Sequence, residues 1–203
     1  VINSVTQNSK TVTPGALFIA LSGSHHDGND YIMSALERGA VAIVVDREES
    51  IVEHSLHKIP FIIVEDARAA MASIAAWFYD YPARKLEMIG ITGTNGKTSV
   101  AFMTCHLLRS MGKKVGMIGT VRYEIGSRQI PAQRTTPDAI ELQRLLHEMV
   151  RVGCSECVME VSSHAIDQKR VAGIPFRIMV FTNLTRDHLD YHQDLETYFK
   201  TKR

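Results

Sequence analysis

The chain has 203 residues, 45% of them apolar, with 23 basic and 22 acidic residues for a formal charge of +1. That length suits one large or two small packed domains, and the balanced charge excludes a global field that would draw nucleic acid or an anionic membrane; any anion must be held by a local site. No long apolar run is present, and Val1 to Lys10 lacks the basic start and apolar middle of a secretory signal, so a cytoplasmic protein without membrane insertion is expected.

In chain order, the short branched-apolar runs Ala16 to Leu21, Val41 to Val45 and Phe61 to Val64 predict strands, and Asp30 to Arg38 and Ala67 to Tyr79 carry helical spacing between and after them. Alternating strands and helices imply a small α/β unit. Pro82 and the polar cluster Asp80 to Lys85 break the pattern, which places a domain boundary there and divides the chain into residues 1–83 and 84–203.

The second half opens on a strand, Leu86 to Thr92, that turns into Gly93-Thr-Asn-Gly96-Lys97-Thr98 before a helix predicted over Thr98 to Met111. Glycines at a sharp turn let backbone N–H groups approach an anion, a lysine reaches terminal phosphates, a threonine hydroxyl suits magnesium, and the helix adds its dipole. The loop is a variant, because the general phosphate-loop pattern wants glycine at Ile91.

A strand at Lys114 to Ile118, an irregular stretch to Thr136, a helix from Asp138 to Val152 and strands at Glu156 to Val161 and Arg177 to Phe181 complete the prediction. Crossover helices favour a mainly parallel sheet with its ligand sites at the carboxyl ends of the strands. Of three cysteines, Cys105, Cys154 and Cys157, the last two form a C-S-E-C pair in an apolar segment; without a second ligand pair they read as buried, reduced thiols rather than a zinc or redox site.

Glu160 ends its strand where a magnesium-holding carboxylate would stand, although a solvated strand-end glutamate fits equally well. The last strand runs into Asn183, Asp187, His188, Asp190 and His192, a density of ligand-capable groups that favours a site. The spacing of His188 and His192 matches that of zinc helices, but no Glu-x-x-His accompanies it, and a magnesium nucleotide accounts for the loop as well.

Together, T-G-T-N-G-K-T (Thr92 to Thr98), T-T-P-D (Thr135 to Asp138), M-E-V-S-S-H (Met159 to His164) and F-T-N-L-T-R-D-H-L-D-Y-H (Phe181 to His192) resemble the Mur ligases, specifically the branch that adds the third amino acid to UDP-N-acetylmuramoyl-dipeptide. The resemblance runs over essentially the whole chain. It implies an N-terminal UDP-substrate domain, an incomplete central ATP-binding domain, and a C-terminal domain beyond these 203 residues, so that the chain alone is expected to bind without turnover. It implies ATP and two magnesium ions as cofactors, a bacterial setting, small-molecule substrates and a monomer. By the same resemblance, Gly93, Thr94, Asn95, Gly96, Lys97, Thr98, Ser99 and Asn183 would hold ATP, with Lys97 and Lys202 catalytic, and Thr98, Glu160, His188 and Lys202 would serve the metals. Ser9, Ser24, His25, His26, Thr135, Thr136, Ser162, Gln168 and Arg170 would hold the UDP-muramoyl-peptide.

Asn8-Ser9-Lys10 stands where the family has Asp-Ser-Arg, and Arg134 stands where relatives often carry asparagine. Lys202, four residues after Tyr198, matches a lysine that the family carbamylates; a carbamate offers the anionic oxygens magnesium prefers, which an ammonium cannot. The implied reaction is amide formation through an acyl phosphate. A folylpolyglutamate-synthetase-like ligase and a nucleotide-binding module without ligase activity are the alternatives. A GTPase switch is disfavoured because Asn-Lys-x-Asp and Asp-x-x-Gly are both missing.

Overall fold

The computed structural model describes residues 1–23, 27–48, 59–187, 189–192 and 194–202. The chain divides into two compact units, Val1–Ala75 and Ala76–Arg203.

In the first unit, strands β1 (Ser4–Thr6), β2 (Ala16–Ile19), β3 (Ala40–Val45) and β4 (Phe61–Ile63) form, among the described residues, a fully parallel sheet in the order β1-β2-β3-β4. β2 and most of β3 are buried, which is why both read as continuous apolar runs rather than alternating ones. Phe18, Ile32, Ala35, Ile43 and Val45 centre the core. The helix expected over Asp30 to Arg38 is shorter: a 3-10 turn at Gly28–Tyr31 leads into helix α1 (Ile32–Glu37). Asp27 caps the turn by accepting from Asn29 N–H, so its side chain favours a tight start over an α-helical one. Helix α2 (Ala67–Phe78) follows β4.

The second unit holds β5 (Glu87–Thr92), helix α3 (Lys97–Ser110), β6 (Val115–Ile118), β7 (Arg122–Ile125), β8 (Arg128–Pro131), helix α4 (Ala139–Arg151), β9 (Glu156–Glu160), the short helix α5 (Ser163–Asp167), β10 (Phe176–Phe181), and helices α6 (Leu189–His192) and α7 (Leu195–Lys202). The sheet order is β10-β5-β9-β6-β7-β8, parallel from β10 to β6 and antiparallel across β7 and β8. The stretch expected to be irregular before Thr136 therefore contains a hairpin. Glu124 is buried in it and accepts from Arg109 and Arg122, so a charge that reads as surface from sequence sits inside on long-range partners. Burial would raise the Glu124 pKa, but those two arginines hold it below the ordinary range.

Alternation along the strands feeds two cores. Met88, Cys157 and Met159 face Leu142, Leu145, Leu146 and Met149 of α4, whereas Ile89, Ile91 and Val158 face Ala101 and Cys105 of α3. All three cysteines are free and buried, and burial pushes the Cys105 thiol up to about 11. Among the described residues no helix is long and apolar enough to cross a membrane.

Candidate functional site

Parallel pairing of β10, β5, β9 and β6 brings the residues following Phe181, Thr92, Glu160 and Ile118 to one edge of the sheet. The loop from Gly93 to Gly96 is built there. Gly93 is buried with φ 134°, and a Cβ at this position would collide with Thr182 Oγ1, so the close approach of the two strand ends requires glycine. Gly96, φ 82°, turns the chain into α3.

The residues after β10 clamp this loop. Thr94 N–H donates to Asn183 O (2.9 Å), Asn95 N–H to Asn183 Oδ1 (3.0 Å), and Asn183 Nδ2 to Asn95 O (3.1 Å). Thr182 Oγ1 donates to Asn95 O (2.7 Å), while Thr94 Oγ1 accepts from Thr185 N–H (3.0 Å) and lies 3.2 Å from the hydroxyl of buried Tyr198. Two loop N–H groups expected to face an anion are thus spent on Asn183. The donors left to an anion begin at the first turn of α3, whose N–H groups have no partners within the helix. Ser99 lies exposed on that turn.

Lys97 Nζ donates to Gly93 O (2.9 Å) and Thr94 O (2.8 Å), and burial lowers its pKa against the opposing pull of Glu160 and Asp187. Lys202, at the end of α7, is 7% exposed and donates to Thr92 Oγ1 and Gly93 O, each at 3.2 Å. Burial, reinforced by Lys97, brings its pKa down to about 8. Two lysines from separate elements therefore meet at one carbonyl.

Glu160 is 1% exposed rather than solvated. Its Oε2 accepts from Thr98 Oγ1 (2.9 Å) and Thr120 Oγ1 (3.1 Å), and its Oε1 accepts from Thr120 N–H (2.9 Å). Thr120 Oγ1 also lies 3.1 Å from Thr135 Oγ1. Thr136 Oγ1 donates to Glu160 O (2.8 Å) and accepts from Ser162 N–H (3.1 Å). Ser162 caps α5 by accepting from Ala165 N–H. Arg170 donates to Thr136 O (2.8 Å) and to Gln168 Oε1 (2.6 Å), around a turn in which Lys169 holds φ 57°. One hydrogen-bonded network thus joins Thr98 and Glu160 to Thr135, Thr136, Ser162, Gln168 and Arg170. Chain order separates these residues, and the crossovers unite them.

The oxygens of Thr98 and Glu160 are a hard donor pair that suits a cation keeping most of its water and taking phosphate oxygens, as magnesium does. Among the described residues, no group of three His, Cys, Asp or Glu could hold a metal by itself. His188 and the segment Ser24, His25, His26 lie outside the described residues. Ser9 is buried in the 3-10 turn Ser9–Thr11 of the first unit, where Asn8 accepts from Lys10 N–H, a cap an aspartate would make equally well. Sequence reading missed Thr120 and Thr182, and used Tyr198 only for its spacing to Lys202. Thr120 could have been sought by position alone, as it stands two residues beyond a parallel strand's carboxyl end.

Residues 91–203 match the model of the Mur ligase middle domain, and residues 1–79 match that of the Mur ligase family, catalytic domain. The chain is 48% identical over 201 residues to UDP-N-acetylmuramoyl-L-alanyl-D-glutamate--2,6-diaminopimelate ligase of Caldanaerobacter subterraneus subsp. tengcongensis, an overlap of 99% of this chain and 41% of that protein. A solved structure of a ligase with that same name superposes with a TM-score of 0.82 at 30% identity, over 99% of this chain and 40% of the other. The MurF ligase of Thermotoga maritima in complex with ADP gives a TM-score of 0.64 at 25% identity, over 98% of this chain and 42% of the other. The chain spans about two fifths of the length of the curated relatives it matches.

Proposed function

The chain belongs to the Mur ligase family, and on that footing we propose that it forms the ATP-binding and acceptor-binding part of a peptidoglycan-precursor ligase. The reaction joins meso-diaminopimelate or L-lysine to UDP-N-acetylmuramoyl-L-alanyl-D-glutamate. Residues 1–83 would serve the UDP end and residues 84–203 the nucleotide. The observation that carries this reading is the continuous network from Thr98 through Glu160 and Thr136 to Ser162 and Arg170, because a ligase of this kind must bring a γ-phosphate to a carboxylate.

A free carboxylate is a poor acyl donor, since its leaving group would be oxide. Transfer of the γ-phosphoryl group gives an acyl phosphate, and attack by the amine then expels phosphate. The protein supplies position and charge neutralisation. Lys97 and the first-turn N–H groups of α3 face the phosphates, and Thr98 and Glu160 would hold magnesium, which offsets phosphate charge as ATP meets an anionic acceptor. A second magnesium would fall to His188 and to Lys202 as its carbamate. Arg170, fixed by Thr136 O and Gln168, suits an anionic acceptor through its paired donors. Ser162 serves as a helix cap and substrate contact, not as a nucleophile. We take the chain to act on small-molecule substrates as a monomer. We read the setting as the bacterial cytoplasm.

The folylpolyglutamate alternative is less favoured because residues 1–79 match a Mur ligase model of their own. Calorimetric titration with UDP-N-acetylmuramoyl-L-alanyl-D-glutamate tests the reading. Arg170→Ala should weaken binding roughly tenfold or more, the scale of one lost charged contact. Equal affinity in the variant, or preference for a glutamyl folate, would contradict it.

A further inference from the structure

We propose that Thr120 is a positioning residue that sets Glu160 for magnesium, an inference that rests on the ATP reading above. A carboxylate at a strand end can rotate about its side-chain bonds, and a single donor would leave that rotation open. Thr120 supplies two donors from one residue, its N–H to Oε1 at 2.9 Å and its hydroxyl to Oε2 at 3.1 Å. Each oxygen is thereby fixed separately, and the plane of the carboxylate is set. Gly119 adds a steric condition, because a Cβ there would lie 2.5 Å from Glu160 Oε1. The loop after β6 is thus shaped around this one carboxylate.

The clamp leaves Oε2 beside Thr98 Oγ1, so the two oxygens proposed to face the cation are presented together. Thr120 also stands 3.1 Å from Thr135 Oγ1, which ties the metal side of the network to the threonine pair on the acceptor side. Loss of the hydroxyl would leave the backbone bond on Oε1 and, on Oε2, only the Thr98 hydroxyl, whose oxygen is itself proposed to face the cation. The effect should fall on metal-assisted nucleotide binding rather than on nucleotide binding as such.

The test is isothermal titration of the 203-residue chain with ATP, with magnesium and with EDTA, for the unsubstituted chain, Thr120→Val and Thr120→Ser. Thr120→Val should hold metal-free affinity within about twofold while the factor by which magnesium tightens ATP falls about tenfold, the loss of one charge-assisted hydrogen bond. Thr120→Ser should keep that factor within about twofold. An undiminished magnesium factor in Thr120→Val, an equal loss with and without the metal, or a loss in Thr120→Ser would each overturn the proposal. Where valine impairs folding, Thr120→Ala, which also removes the hydroxyl, carries the same expectations. Failure of the unsubstituted chain to bind ATP in either buffer would instead sink the functional reading, and this inference with it.

Discussion

Lys202 carries its amine into a buried site at the end of α7. Its Nζ donates to neutral oxygens of Thr92 and Gly93 and lies 4.9 Å from the centre of the Tyr198 ring, and burial with the neighbouring Lys97, outweighing the pull of Asp187, brings its pKa from the ordinary 10.5 to about 8. Between these values the unfolded chain binds more protons than the folded one, so stability rises with pH from about 8 to 10.5, and below about 8 the cost of the buried ammonium is fully present. Lys202→Met should therefore be more stable than the parent near neutral pH, with an advantage that shrinks by something on the order of 3 kcal/mol as pH climbs through that window. Denaturant unfolding at a series of pH values measures it, and a gap that stays constant would show that the amine titrates normally. The same shift raises the neutral fraction at pH 7 to about one in ten. Only the neutral amine can take up carbon dioxide, which suits the carbamate proposed for this residue. From sequence, Lys202 is an ordinary helix lysine apart from its spacing to Tyr198; what makes it unusual is burial against a loop 110 residues away.

Helix α4 shows which elements are open to sequence reading. Pro137 and Asp138 announce its start, and Leu142, Leu145, Leu146 and Met149 recur on one face. All four are buried, and Asp138 Oδ1 accepts from the N–H groups of Ile140 and Glu141. Asp138→Ala should cost about 1 kcal/mol and Leu145→Ala about 2–5 kcal/mol, the latter because it opens a cavity in a closed core. Thermal unfolding of both variants checks the order, and a larger loss for the cap would contradict the packing described. The β7–β8 hairpin was illegible for the opposite reason. Its buried Glu124 is satisfied by Arg109 of α3 and Arg122, and no local pattern foretells a long-range ion group. β1, only three residues long, is held by its partner rather than by its own composition.

At the scale of the molecule, parallel connection does the assembling. The glycine loop, the strand-end glutamate and the Thr-Thr-Pro-Asp segment were each readable as motifs. Their joining through Thr120 and Arg170 was not, since hydrogen bonds between crossover loops depend on sheet order. The same order decides which loop N–H groups face outward: Asn183 takes those of Thr94 and Asn95, whereas the first-turn N–H groups of α3 have no partners within the helix. Whether that turn and Lys97 hold a nucleotide is what the functional reading depends on most. Isothermal titration of the chain and of Lys97→Ala with magnesium ATP measures this directly. Saturable binding by the parent, weakened by at least about a hundredfold in Lys97→Ala as two or more charged phosphate contacts are lost, is the expected result. Equal binding by both chains, or no binding by the parent, would contradict it.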